Sequence, residues 1–329
     1  MLRHRLAGFL AAAALLPAAL PAVASAPPCV AELPPNTPLS CPPPKPDPVP
    51  PAPTGRSDLT AYRGLGTWVD VYDWTSTYTK GHPVITPATM DNMAKLGNVT
   101  LYIQVAKGGS KNPALIETDT LGKILTRAHA NHMRAVAWYL PLFGDVADDY
   151  RHLKAAVDFR VGKERFDSVG VDVEWRNSVK DADERSRRLV SLSRQLRAYA
   201  PQLPLAGIVM PPVVTDEINR SFWPRFPWAS LKGMYDVWQP MDYWTNRSSG
   251  SKWRNAYTYT KANVDYLRKD LGDPKAAVHT VAGIGNECTD TDWKNYVKAV
   301  QDTTSLGGSS YDYATTKSSA YTYLRTIKS

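Results

Sequence analysis

The chain has 329 residues, a formal charge of +8 and 43% hydrophobic residues. That length suits one large domain or two small ones. The basic charge is scattered among acids with no Lys/Arg block, which argues against nucleic-acid binding. Cys29, Cys41 and Cys288 form no CxxC and no Cys/His cluster with zinc spacing, so no metal site is expected from them.

The N-terminus reads as a secretory signal over residues 1–26. Arg3 and Arg5 form a basic region, Leu6 to Leu20 a short apolar stretch, and Ala22-Val23-Ala24 and Ala24-Ser25-Ala26 small-residue cleavage patterns. Cutting after Ala24 is preferred, because cutting after Ala26 sets Pro27 beside the scissile bond. The apolar run is short and interrupted by proline, which disfavours a retained membrane anchor. Loss of the signal removes two arginines and leaves about +6, a balance that favours contact with an anionic cell wall. Residues 27–60 follow as a linker dominated by proline, as in Pro42-Pro43-Pro44 and Pro48-Val49-Pro50-Pro51. Such a segment lacks core residues and favours extended polyproline II. In an exported chain Cys29 and Cys41 can close a small loop, leaving Cys288 over.

From residue 61 to 329 apolar runs alternate with amphipathic stretches. Leu65 to Tyr72 predicts a first strand, then a helix over Pro87–Leu96 with Thr86 as N-cap. Val99–Ala106 predicts a strand, Asp119–His132 a helix, Ala135–Leu140 a strand and Asp145–Phe159 a helix with acids in its first turn. Val169–Glu174 is a strand. Asp181–Tyr199 is the clearest helix, with Leu189, Leu192 and Leu196 at helical spacing and Pro201 as its stop. Leu205–Met210 is a strand, followed by a long connection rich in Trp and Pro through Phe222, Trp223 and Trp228. Tyr235–Tyr243, Ala277–Ala282 and Ser309–Ala314 complete the strands. Ala256–Leu271, Thr291–Val300 and Ser318–Thr326 complete the helices. Eight strand–helix units in this length predict a single (β/α)8 TIM barrel. No Gly-rich phosphate loop follows the first strand, which argues against a doubly wound sheet.

Chemistry shows most clearly in Phe166 to Trp175. Val169, Val171 and Val173 alternate with Gly170, Asp172 and Glu174. A strand repeats every two residues, so the valines share one face and the two acids the other. Paired acids on a strand otherwise fit for burial are costly unless they are paired or protonated. The bland alternative is an exposed edge strand or an ion pair. The sharper one is a general acid and a neighbour that tunes it. The other strand ends add Asp70, Asp73 and Trp74, then Gln104 and Lys107, then Trp138 and Tyr139. Trp175, Met210, Gln239, Met241, Asp242, Trp244 and Tyr311 follow, with Asp312 and Glu287 beside them. Aromatic faces take pyranose C–H surfaces, and acids and amides take hydroxyls. Trp68 and Tyr102 read as core. Trp74, Trp175 and Trp244, each just past a strand end, read as ligand contacts.

Phe166 to Glu174 resembles the fourth-strand signature of family-18, chitinase-like glycosidases, Asp-x-x-Asp-x-Asp-x-Glu with Glu as the acid. Asp167, Asp172 and Glu174 match its first, third and fourth acids, and Gly170 replaces the second. Met241-Asp242-Tyr243 resembles that family's Met-x-Tyr-Asp, with Trp244 where its Asp stands. The Asp-x-Glu strand is also similar to that of family-25 lysozymes. The resemblance implies an exported glycosidase with Glu174 as acid, and Asp172 and Tyr243 holding a substrate N-acetyl group. A two-carboxylate mechanism needs a partner for Glu174 across the mouth, and Asp70, Asp73, Asp242 or Glu287 are the candidates. The competing reading is a catalytically inactive carbohydrate-binding barrel; a scaffold with no sugar ligand is the third. His82, His129, His132, His152 and His279 have no nucleophile elbow nearby. No cofactor motif is present, and a monomer with a carbohydrate partner is expected.

Overall fold

A computed structural model describes residues 58–328. The expected signal, the Pro-rich segment up to residue 57 and the Cys29–Cys41 pair lie outside the described residues. Eight parallel strands form one sheet: β1 Gly64–Val69, β2 Thr100–Gln104, β3 Arg134–Tyr139, β4 Ser168–Val173, β5 Leu205–Val209, β6 Val237–Pro240, β7 His279–Ile284 and β8 Gly307–Tyr311. Their order is β6-β5-β4-β3-β2-β1-β8-β7. The sheet closes where Trp238 N–H donates to Ala277 O (2.9 Å) and Asp242 N–H to Val281 O (2.8 Å). Every edge is thereby paired, and the fold is the expected α/β TIM barrel.

The covering helices are α1 Val71–Trp74, α2 Thr89–Lys95, α3 Thr118–Ala130, α4 Val146–Asp158, α5 Ala182–Tyr199, α6 Trp228–Leu231, α7 Ala256–Asp270, α8 Asp290–Asp302 and α9 Tyr321–Leu324. Local chemistry sets their starts. Asp145 accepts from Ala147 N and Asp148 N, Asp181 from Glu184 N, and Asn255 from Thr258 N. Thr289 and Asp292 form a reciprocal capping box on α8. Thr86 does not cap α2 as expected: its own N–H donates to Thr89 Oγ1 at 3.0 Å, and the helix starts at Thr89. The first strand also stops early, because Asp70 accepts from Tyr72 N and turns the chain into α1. β6 ends at Pro240, which has no N–H to give β7, so the β6–β7 pairing is interrupted there and resumes at Asp242.

Strand alternation divides the core in two. Val169, Val171 and Val173 point outward into a layer shared with Leu153, Leu189, Leu192 and Leu196 of α4 and α5. Burial of each such leucine contributes about 1.5–3 kcal/mol. The opposite parity fills the barrel with Trp68, Tyr102, Val136, Trp138, Ile208, Met241 and Val281. Trp68 and Tyr102 stack at 4.6 Å between ring centroids, the core role their positions indicate. At the N-terminal end of the barrel His279 Nδ1–H donates to Tyr62 O at 2.8 Å, and burial pushes the imidazole down to about 4. No helix among the described residues is long and apolar enough to cross a membrane.

Candidate active site

β4 positions the two acids. The valines occupy its outer face, so Asp172 and Glu174 point into the barrel, about 7 Å apart along the backbone by strand rise. Asp172 is buried, and its Oδ1 has no hydrogen-bond partner. Glu174 stands one residue past the strand end, half-buried at the mouth. Burial raises both carboxyls above the ordinary carboxylate range, and the charge of Glu174 raises Asp172 further. No cation offsets either shift, so the pair retains protons at a pH where exposed acids have lost theirs.

Aromatic and sulfur-bearing side chains surround this pair. Trp138, Met241, Met210, Tyr243 and Tyr311 cap the interior column of the barrel. Tyr243 and Tyr311 lie 5.2 Å apart between centroids. Burial, then the charges of Glu174 and Asp172, hold the Tyr243 hydroxyl well above its usual range, so it remains an O–H donor. Tyr311 is raised likewise, by burial first and then by Tyr243 and Asp70. The indole N–H of Trp138 has no hydrogen-bond partner. Trp175 is half-buried beyond Glu174 and donates its indole N–H to Ser178 Oγ at 2.9 Å.

A second acidic group forms where β1 and β8 end. Asp70, Asp73 and Asp312 each bring one carboxylate oxygen within 4.8 Å of the others. Among the described residues this is the grouping that offers a cation three ligands. Asp312 was expected at the mouth beside Tyr311 but was not named as a partner for Glu174. Its signal was its place directly after Tyr311, at a strand end.

Three expected ligand contacts prove to be wall residues. Trp74 is fully buried in the outer core and donates its indole N–H to Gln104 O at 2.9 Å. Trp244 is fully buried against Trp293 and Tyr296 beneath α7 and α8. Neither exposes a face to a sugar. Asp242 has outward parity and accepts from Asn263 Nδ2 of α7 at 2.8 Å. It therefore stands behind the wall from Glu174. Two further candidates lie inside but are committed or deep. Gln104 Oε1 accepts from Val71 N (3.2 Å) and ties β2 to α1. Gln239 is fully buried one inward position below Met241 on β6. Glu287 is exposed on the turn after β7.

The motif acids outside the mouth are explained locally. Asp167 precedes β4 at the opposite end of the barrel, where it accepts from Ala135 N (2.8 Å), Arg134 Nη1 (2.9 Å) and His129 Nε2 (3.1 Å). At Gly170, an added Cβ would lie 2.9 Å from Ile208 Cδ1 and 3.6 Å from Trp138 Cβ. Hydrocarbon from β5 occupies the room an acid side chain would need.

No protein-family model and no curated protein sequence matches the chain. Solved structures do. The C-terminal domain of a putative chitinase from Desulfitobacterium hafniense DCB-2 superposes with a TM-score of 0.59 at 13% identity, over 81% of this chain and 98% of that one. The spore cortex-lytic enzyme SleL of Bacillus megaterium QM B1551 gives 0.57 at 8%, over 81% and 74%. A GH18 chitinase mutant from Cycas revoluta, in complex with (GlcNAc)4, gives 0.56 at 11%, over 80% and 98%. What this chain has in common with them is the fold: its barrel is similar to those of GH18 chitinases and chitinase-like domains.

Proposed function

We propose that the chain is an exported glycoside hydrolase acting on a polysaccharide or cell-wall glycan, with Glu174 as general acid. The observation that carries this reading is the pair of interior acids on β4, both raised by burial and facing an aromatic mouth. A carboxyl whose proton is held more tightly than that of an exposed acid can protonate a glycosidic oxygen as the C1–O bond breaks. The charge then developing at C1 needs a nearby oxygen. In the scheme of the family the chain resembles, that oxygen is the carbonyl of a substrate N-acetyl group. Asp172 lies on the same face to accept from the acetamido N–H, and the Tyr243 hydroxyl remains protonated to donate to the carbonyl. Water then opens the intermediate, and Glu174 recovers its proton from that water.

A two-carboxylate route has fewer candidates than the sequence offered. Asp242 faces α7, and Asp73 is fully buried. Asp70 is the expected candidate that remains beside the mouth, and Asp312 joins it, since the charges of both act on the same Tyr311 hydroxyl as that of Glu174. Incubation with (GlcNAc)4, chitin and peptidoglycan, scored by mass spectrometry, tests the proposal. Products from the native chain and none from Glu174→Gln are expected. Equal turnover by the variant removes Glu174 from the mechanism.

One observation favours an inactive sugar-binding barrel instead: the place of the motif's second acid is filled by Ile208. Calorimetric binding of (GlcNAc)4 with no product on prolonged incubation decides for that reading.

A further inference from the structure

The fifth strand–helix unit is built unlike its neighbours. Units three, four and six cover the barrel with α4, α5 and α7, of 13, 18 and 15 residues. Between β5 and β6 there is a π-helical turn at Val214–Ile218, the Trp- and Pro-rich connection, and the four-residue α6. A short cover leaves the flank open. A groove of about 610 Å3 runs there between this connection and the C-terminal half of α7.

Its aromatic wall is fixed from behind. Trp223 donates its indole N–H to Ser186 Oγ at 2.9 Å, and the Arg185 guanidinium stacks over its ring at 4.2 Å. Phe226 packs on Trp223 (5.3 Å between centroids) and on Trp228 (4.5 Å), and Trp228 leans on Trp238 (5.4 Å). Phe226 and Trp228 are only half-buried, so part of each ring faces the groove. A rigid, half-exposed ring binds with little loss of side-chain entropy.

The polar wall is less completely matched. Arg225 pairs with Asp183 at 2.6 Å, and Glu217 accepts from the Tyr266 hydroxyl. Asp216 and Asp270 instead face one another. Asp270 Oδ2 is buried with no hydrogen-bond donor, and burial together with the neighbouring Asp216 pushes this carboxyl up to about 6. A buried acceptor without a donor costs free energy that a ligand O–H can recover. A phosphate or other anion would be repelled by the acid pair. A peptide of one charge sign has no reason to prefer a groove that mixes Arg220 and Lys269 with these acids.

We infer that this flank groove is a second glycan site, in which a pyranose stacks on Trp228 and Phe226 and directs hydroxyls at Asp216 and Asp270. The inference rests on the glycan-acting reading of the chain and adds a site outside the barrel mouth. A polymer held at both places would be presented to the mouth at raised local concentration.

The test is calorimetry of (GlcNAc)4 binding to the full-length Glu174→Gln protein, where turnover does not interfere. Two tetramers per chain are expected. Asp270→Ala, with an unchanged melting temperature, should weaken one of them by at least about tenfold, as loss of a charge-assisted hydrogen bond does. Trp228→Ala should act likewise. If its packing on Trp238 makes it unfold, Asp270→Ala still decides. Trp175→Ala should weaken only the other tetramer. A single binding event that Asp270→Ala leaves unchanged overturns the groove and spares the mouth. A single event sensitive to Asp270→Ala alone keeps the groove and removes the mouth as a glycan site. No binding at all overturns both.

Discussion

The two ends of β4 place acids in opposite circumstances. At its foot, burial pushes Asp167 up, but the His129 ring, the Ala135 N–H and Arg134 outweigh it and hold the carboxyl below its usual range. His129 is raised in return, by Asp167 first and against its own partial burial, with Glu164 on its other nitrogen. At its head, Asp172 and Glu174 have burial and each other, and no cation. The foot is arranged for ionised partners and the head against them. A few residues of one strand thus contain a structural clamp and an arrangement that lowers stability, and the second is what a proton donor requires.

The largest expected effect is catalytic. Glu174→Gln should lower turnover of a susceptible glycan by about 10²–10⁴-fold, the usual contribution of general acid catalysis, with no loss of thermal stability, since it removes an acid whose ionisation burial opposes. Product release measured on chitin fragments checks it. Next comes the foot: Asp167→Ala should cost about 2–3 kcal/mol, because it leaves the Ala135 N–H and Arg134 without their acceptor. Denaturant unfolding measures that loss. The head should respond with the other sign. Asp172→Asn removes a carboxyl whose ionisation burial opposes and should raise stability at pH 7 by about 1 kcal/mol.

Titration sharpens the contrast. Asp167 is depressed, so its contribution is present above the unfolded value of 3.8 and is lost as pH falls through the folded one. His129 is raised, so its contribution is present below 6.5 and is lost as pH rises through its folded value. The foot therefore stabilises most between those limits. Asp172 and Glu174 are raised, so they favour the folded state below 3.8 and 4.5 and lose that advantage as pH rises through their folded values. The gain from Asp172→Asn should accordingly shrink between pH 7 and pH 4. A gain that grows on acidification would mean that a cation neutralises the head.

The strand–helix order was legible because apolar periodicity and capping residues such as Asp145 and Asp181 act locally. The facing of Asp172 and Glu174 was legible for the same reason, since a period of two needs no tertiary knowledge. The side of the wall was not legible for Trp74 and Trp244. Each follows a strand end, but the turn that carries it rotates the ring outward into the helix layer. β8 was misplaced because it has no apolar run. Gly307 and Gly308 are required by close approach: an added Cβ would lie 2.2 Å from Gly64 O at the first and 2.5 Å from Tyr296 Oη at the second. The grouping of Asp70 and Asp73 with Asp312 joins the first and last strands of the barrel, a contact made only by closure.

The smallest predicted effect asks why the head contains two acids rather than three. Gly170 lies two residues before Asp172, and its neighbours are Ile208 Cδ1 and Trp138 Cβ. Gly170→Ala would press its methyl on Ile208, the residue that pairs in register with Asp172. The Cδ1 is the far end of a flexible chain, so the clash should cost no more than about 1 kcal/mol. Ile208→Val deletes that methyl and should make Gly170→Ala neutral or better, a coupling of about 0.5–1 kcal/mol in a double-mutant cycle. Additive effects would mean that the strand backbone, rather than Ile208, sets the requirement for glycine. Coupling would instead show that β5 hydrocarbon occupies the acid's room, leaving burial and Glu174 alone to set the proton affinity of Asp172.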